Sequence, residues 1–527
     1  MDGETLAAAR AALGRGQWEL ARDGFAAALA LGEDAAAREG QAFAARMLGQ
    51  HDESFAAYER AYRLYRDVDD VSGAARVATW LGYNHEALRG DFAVASGWYA
   101  RAHRLIDDRP LSLEHAWLAI REASRLLSGG LDPDRGRELA QLATSAATAV
   151  GDVEVETVGR SLEGLAMVVT GDVDAGLRLL DESATALIAG DLDTVLPASL
   201  ACCFVIYGCE HALDLARAAQ WCRAIEESIS TRLRFDQFLG FCRCHYAAVM
   251  TVRGELTAAD TLLDEAERAF AIGAPAAAFE VVLRRAEVRR RREQYDDARL
   301  LAESVAWHPD ALRCLAAIAL DSGDFDTAAE LVERHLRRLP VQGRLARVPG
   351  LAIAVSAHGR AGRLAAMDAA FEELSSAPRA GGIGSVLDAA AAERAEAHGD
   401  FDAARRLWED AIDGTVDRGM RFEAAHARAG LARALIGLGR RSEAAIQSSR
   451  AATEMAALRG GAEAGLLTSR EREVLELVAQ GLTDDEIAGR LVLSRHTVHR
   501  HVANVRTKLG QPSRAASVAE ATRRSLI

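Results

Sequence analysis

Three features of the sequence predict an all-α chain: a long array of helical hairpins followed by a small terminal helical domain. A glycine-led pattern recurs at fixed offsets over most of the 527 residues. The composition is 50% hydrophobic but only 6% aromatic, with alanine prominent, which suits helices packed closely through small side chains. From Leu467 to Gly510, three short helical patterns follow one another between capping residues and turns.

The repeat is set by Gly16, Trp18, Ala21, Phe25 and Ala28, and returns at Gly49, His51, Ser54, Tyr58, Ala61 and at Gly90, Phe92, Ala95, Tyr99, Ala102. Further copies start at Gly171, Gly254, Gly323, Gly362, Gly399 and Gly439, with weaker ones near Leu131, Leu215 and Tyr295. After each glycine turn, steps of three and four place an alanine stripe and a large-residue stripe on one helix face. The alanines admit the paired helix, and the large residues fill the groove against the next pair. This pattern resembles the second helix of a tetratricopeptide repeat, at a period nearer about 40 residues than the usual ~34. The resemblance implies a superhelix of helical hairpins with an extended concave surface for a protein, peptide or small-molecule ligand. The expected boundaries are 1–458 for the array, 459–465 for a glycine-rich linker and 466–527 for the terminal domain.

The terminal segment carries its own punctuation. Thr468 with Glu471 and Thr483 with Glu486 are spaced as capping boxes, in which hydroxyl and carboxylate each satisfy an orphan amide. Gly481 and Gly510 stand where a helix ends in a left-handed residue. Ser494 is an N-cap only two residues, Val492 and Leu493, after the second helical pattern. Helix, tight turn and second helix, behind a supporting helix, is the arrangement that lays one helix in the major groove.

These residues resemble the LuxR-type helix-turn-helix domain. The stretch LTSREREVLELVAQG, followed by DEIAGRLVLSRHTVHRHVANVRTKLG, matches the family pattern at nearly every defining position. The resemblance implies a four-helix domain, a bacterial transcription regulator and double-stranded DNA as partner, with RNA polymerase a further candidate partner. Two departures stand out: His499 replaces the usual Lys, and Asp484 and Asp485 replace a common Asn-Lys pair. Two acids there are expected to repel phosphate, which predicts weaker non-specific affinity and an unusual operator.

Projected at 100° per residue, Val498, Val502, Val505 and Leu509 form the core stripe of the third helix. His496, Arg500, Ala503 and Thr507 lie opposite, with His499 and Asn504 on the flanks. Carried over by motif, the family's base-contacting positions are His499, Arg500 and Ala503. Projection and resemblance agree on Arg500 as the main base reader. His499 would make binding pH-sensitive, or is merely tolerated at the groove. His501 leans toward the core edge, which favours positioning. Arg495, Arg506, Lys508 and the Ser494 and Thr497 hydroxyls are expected phosphate contacts that fix register. The fourth helix, 513–524, corresponds to the family's dimer-forming helix, with Ala515, Val518, Ala519 and Thr522 as a self-complementary seam. Gln511 stands where an apolar residue is common.

Charge divides in the same way. From Leu466 onward ten Arg and Lys oppose seven Asp and Glu, a net of +3, which leaves −17 for the rest of a chain totalling −14. Ser494 to Ile527 alone holds seven bases and one acid. The basic footprint thus falls on the third and fourth helices, while the acidic array is suited to protein or ligand partners. Lys508 is the chain's single lysine, so no phosphate-loop motif of an ATPase exists in it.

No paired-carboxylate, HExxH or nucleophile-elbow pattern is present, so no catalytic residue, metal or cofactor is expected. The opening MDGETLAAARAAL has neither the basic flank nor the apolar core of a signal peptide. The apolar run from Val195 to Cys209 contains Pro197 and is shorter than the ~20 residues a membrane helix needs. A cytoplasmic location without membrane contact is therefore expected. Six of seven cysteines crowd between 202 and 244 (Cys202, Cys203, Cys209, Cys222, Cys242, Cys244), beside His211 and His245. A thiol or metal sensor is one reading. Buried free thiols at alanine-rich contacts are preferred, because no CxxC pair exists and reducing compartments disfavour disulfides. A second basic run, Arg284, Arg285 and Arg289 to Arg292, reads as a helix face paired with neighbouring acids rather than an acidic-ligand site. A scaffold that uses DNA only as an anchor is the alternative to a regulator.

Overall fold

In the computed structural model, residues 3–128, 132–229, 240–341, 344–459, 469–491, 493–511 and 513–523 are described. Among them, twenty-four α-helices form twelve consecutive antiparallel hairpins, from α1 (Gly3–Gly14) and α2 (Trp18–Ala30) to α23 (Arg421–Gly437) and α24 (Arg441–Arg459). Each hairpin packs on the next, and first helices also touch first helices: α7 (Leu113–Ser128) on α9 (Val153–Thr170), α9 on α11 (Val195–His211), and α11 on α13 (Gly240–Arg253). First helices therefore make the inner layer of a tetratricopeptide-like superhelix. None of the described helices is long and apolar enough to cross a membrane.

The recurring glycine has a backbone reason. All nine repeat glycines, from Gly16 (φ 75°) to Gly439 (φ 77°), adopt the left-handed conformation that ends one helix and turns the chain into the next. The second helix then starts two residues later, at Trp18, His51, Phe92, Val173, Leu256, Phe325, Leu364, Phe401 and Arg441. In the weaker copies near Leu215 and Tyr295 the same left-handed position is taken by Leu213 (φ 53°) and Glu293 (φ 60°). Those two turns hold the same geometry without a glycine.

The large stripe residues pack as expected. Phe25 of α2 lies against Gly40 of α3 (Ala35–Met47), and Trp408 of α22 (Phe401–Asp417) against Gly430 of α23. A Cβ at Gly430 would stand 2.3 Å from the indole, so the ring uses the absent side chain as its seat.

The superhelix also closes on itself. The Arg46 guanidinium of α3 donates to the Gly273 carbonyl at the end of α14 (Leu256–Gly273) at 2.7 Å, and His51 of α4 (His51–Asp67) donates to the Ile272 carbonyl at 2.7 Å. Near the other end, Leu458 of α24 covers Gly254, Arg291 pairs with Glu423 at 2.7 Å, and Arg459 pairs with Glu293 at 2.7 Å. These contacts join repeats that are far apart in sequence.

Each arginine of the 284–292 run meets a carboxylate: Arg284 with Glu210, Arg285 with Asp264, Arg289 and Arg292 with Asp260, Arg290 with Glu287 and Asp321, Arg291 with Glu287 and Glu423. The paired reading holds, although Arg290 and Arg291 are interior rather than solvated. The expectation of free thiols needs one correction. Cys203 of α11 and Cys242 of α13 form a disulfide, because packing of the two inner helices brings their Cα atoms to 4.7 Å, within bonding reach. Cys202, Cys209, Cys244 and Cys314 are buried thiols, and burial pushes Cys202 up to about 12.

Candidate nucleic-acid interface

Beyond the array stand α25 (Ser469–Ala479), α26 (Asp484–Leu491), α27 (Arg495–Leu509) and α28 (Arg514–Arg523). Thr468 and most of the expected linker, from residue 460 on, lie outside the described residues, and Arg459 is the last residue of α24. Val474, Leu475, Val478, Ile487, Val498, Val505, Leu509 and Ala521 make one buried core shared by the four helices. Val502 packs against its edge, so the stripe projected for α27 is the one buried.

Caps fix how α26 and α27 meet. The Thr483 amide donates to the Glu486 carboxylate at 2.7 Å and the Glu486 amide to the Thr483 hydroxyl at 3.4 Å, a reciprocal box that holds the Glu486 carboxyl below its usual range. The Ser494 hydroxyl accepts from the Thr497 amide at 3.1 Å and lies 2.8 Å from the Thr497 hydroxyl. Gly481 (φ 87°) and Gly510 (φ 66°) are left-handed, as their positions predict.

With the valine stripe buried, α27 turns His499, Arg500, Ala503 and Asn504 outward, all exposed. Ser494 and Arg495 are exposed at its start, and Thr497 is half-buried. His501 is half-buried and its Nδ1 is enclosed, in keeping with a place at the core edge. The side chains of His496 and Thr507 lie outside the described residues. Lys508 is engaged within the domain: its ammonium sits 2.6 Å from the carboxylate of buried Glu471, tying the end of α27 to the start of α25. On α28, Ala515, Ala519 and Thr522 are exposed and Val518 is half-buried, while Ser517 and Ala521 face the core.

The two acids expected to repel phosphate each carry an arginine. Asp484 pairs with Arg514 of α28 at 2.6 Å, and Asp485 with Arg495 at 3.5 Å. Arg514 also donates to the Leu482 carbonyl, so it pins the turn before α26 to α28. Sequence reading missed this role, because residues 30 positions apart meet only in the folded domain. The outcome is a compact four-helix unit with a short α26–α27 turn and a polar outer face on α27, the architecture of a helix-turn-helix domain.

Residues 465–521 match the family described as bacterial regulatory proteins, luxR family. The spore germination protein GerE of Bacillus subtilis is 48% identical over 58 residues, covering 11% of this chain and 78% of GerE. The chain belongs to the LuxR family through its C-terminal domain. The activator DevR/DosR of Mycobacterium tuberculosis is 39% identical over 98 residues, 18% of this chain and 44% of its own length. The HTH-type regulator Rv0890c of the same species is 50% identical over 60 residues, 11% of this chain and 7% of its own. The chain thus spans less than half the length of these two relatives. Across the whole chain, the APC/C hetero-tetramer Cut9–Hcn1 aligns with 99% of this chain and 96% of that one, at 12% identity and a TM-score of 0.44, too distant to bear on function.

Proposed function

We propose that this protein is a cytoplasmic, sequence-specific regulator in which residues 1–458 sense a ligand or protein partner and residues 466–527 read DNA. The observation that carries the DNA reading is the exposed face of α27, with Arg500 at its centre and the valine stripe buried behind it. Arg500 reads a guanine edge, His499, Ala503 and Asn504 flank it, and Ser494, Arg495 and Thr497 meet phosphate. His496, Thr507 and Lys508 complete the expected contact set, with Lys508 secondarily committed to Glu471. Ala515, Val518, Ala519 and Thr522 pair two copies on an operator, and RNA polymerase is a partner of the bound dimer. Selection of bound genomic fragments by the full chain and its Arg500→Ala variant tests this. A shared motif that the variant loses supports it, and no enriched motif defeats it.

A second reading, a thiol-responsive regulator, is favoured by the Cys203–Cys242 bond. Thiol titration before and after reduction, with operator affinity measured in each state, separates it. Equal affinity in both states removes it.

A further inference from the structure

The clip between the last hairpin and the eighth encloses a cleft of about 160 Å³. Tyr295 at the start of α16 (Tyr295–Ser304) and Asp321 at the end of α17 (Pro309–Asp321) line it from one part of the array. Phe422, His426 and Met455 of α23 and α24 line it from another, more than 100 residues on. The lining is completed by Arg290, Arg291, Glu293 and Arg459. The volume matches the ~150 Å³ cavity that accepts a benzene ring, about six non-hydrogen atoms. Glu293 is solvent-exposed, so the cleft is open to entry.

Three arginines in a lining suggest an anion, but carboxylates already hold these three. Arg290 faces Asp321 and Glu287, Arg291 faces Glu287 and Glu423, and Arg459 faces Glu293 at 2.7 Å. The Arg459 Nε, which lacks a hydrogen-bond partner, is shut off from solvent. Those four carboxylates outnumber the three guanidinia, so the cluster carries one surplus negative charge. The second oxygen of Glu423 is accordingly enclosed without a partner. What remains for a ligand is acceptors. His426 Nδ1 donates to the Phe422 carbonyl at 2.9 Å, which leaves a lone pair on Nε2, and burial with the Arg291 charge keeps the ring below its usual pKa. The Tyr295 hydroxyl has no partner among the described residues, and burial with the Asp321 and Glu293 charges pushes it above the usual phenol range. The Asp321 charge acts on both His426 and Tyr295, so the three groups face one space.

We propose that this cleft binds a short aliphatic amine, whose ammonium donates to the Asp321 carboxylate, the Tyr295 hydroxyl and His426 Nε2. Three acceptors satisfy the three donors of an ammonium, and its charge neutralises the surplus carboxylate. A ligand there touches α16, α17, α23 and α24 at once, so it tightens the clip beside Arg459, the last residue of α24. As the signal sensed by residues 1–458 it rests on the regulator reading above, whereas its binding is measured without DNA.

Full-length protein is titrated with putrescine and, separately, n-butylamine, both as hydrochlorides at constant pH and ionic strength, with sodium succinate as the length-matched anion. Melting temperature and heat of binding are both read. A saturable rise in melting temperature with at least one amine is expected, equivalent to about tenfold stabilisation at ten times the dissociation constant. Tyr295→Phe removes only a hydroxyl, melts with the parent when no amine is present, and binds the amine about tenfold more weakly. Asp321→Asn, in which Arg290 retains Glu287, weakens the amine by at least as much. The proposal is overturned if neither amine acts beyond succinate, or if Tyr295→Phe binds the amine as tightly as the parent. Amine binding that leaves operator affinity unchanged supports the site and defeats sensing through it, and absence of amine binding leaves DNA recognition by α27 untouched.

Discussion

Replacing His335 by glutamine isolates one source of acid sensitivity in the array. His335 of α18 (Phe325–Arg338) is fully buried, and its Nδ1 donates to the Pro309 carbonyl at 3.0 Å. Its Nε2 is enclosed without a partner, so a second proton there would find no acceptor. Burial, with Arg313 and Arg347 nearby, pulls its pKa down to about 4, against a weaker opposing pull from Asp310 and the Pro309 carbonyl. The unfolded chain titrates near ~6.5. Between those values the unfolded state binds more protons, so this contribution is complete above about pH 6.5 and is lost as pH falls toward about 4. The full contribution is about 3 kcal/mol, of which about 2 kcal/mol is lost by pH 5. Urea midpoints of the parent and His335→Gln at about pH 7.5 and about pH 5 read it directly. The parent is expected to lose about 2 kcal/mol more than the variant over that interval. His211, also pulled down to about 4, acts equally in both proteins and cancels. Parallel pH dependences would refute the reasoning.

Arg500→Ala is expected to weaken operator binding by about 1–3 kcal/mol, roughly 5- to 150-fold, and to relax preference at one base pair, read by fluorescence anisotropy against single-base variants. Gly399→Ala meets no neighbour but forces an L-residue to φ 81°, so chemical denaturation should show a loss of about 1–2 kcal/mol. Gly430→Ala keeps a helical backbone and instead collides with the Trp408 ring, for a loss of about 1–3 kcal/mol that Trp408→Phe should partly relieve. Arg514→Ala leaves the Asp484 carboxylate and the Leu482 carbonyl without this partner, and the operator affinity of that variant should fall while the salt dependence of its unfolding becomes shallower, because one screened ion pair is gone.

The array was legible because its signal is a backbone demand repeated nine times. A left-handed residue two positions before a helix excludes most side chains, and glycine records that exclusion in the sequence. Where Leu213 and Glu293 bear the same conformation, the record fades and the copies read as weak. The buried face of α27 was equally plain, since period and burial coincide at Val498, Val505 and Leu509. What remained hidden depends on which helices meet. Cys203 and Cys242 are 39 residues apart, Lys508 and Glu471 are 37 apart, and Arg46 reaches Gly273 across 227 residues. No local spacing encodes such meetings.

An open stack of repeats unravels from its ends, because each unit leans only on its neighbours. Here the last helix is wedged against the seventh and eighth hairpins by Leu458 on Gly254 and by Arg459 on Glu293, and the second hairpin is held by the end of α14. The molecule behaves less like a spring with free tips than like a coil clipped to itself. Loosening one clip releases repeats remote from it in sequence. A disturbance at the second hairpin and one at the root of α24 are therefore carried by the same closed body, and the exit of the chain toward α25 is anchored in that closure.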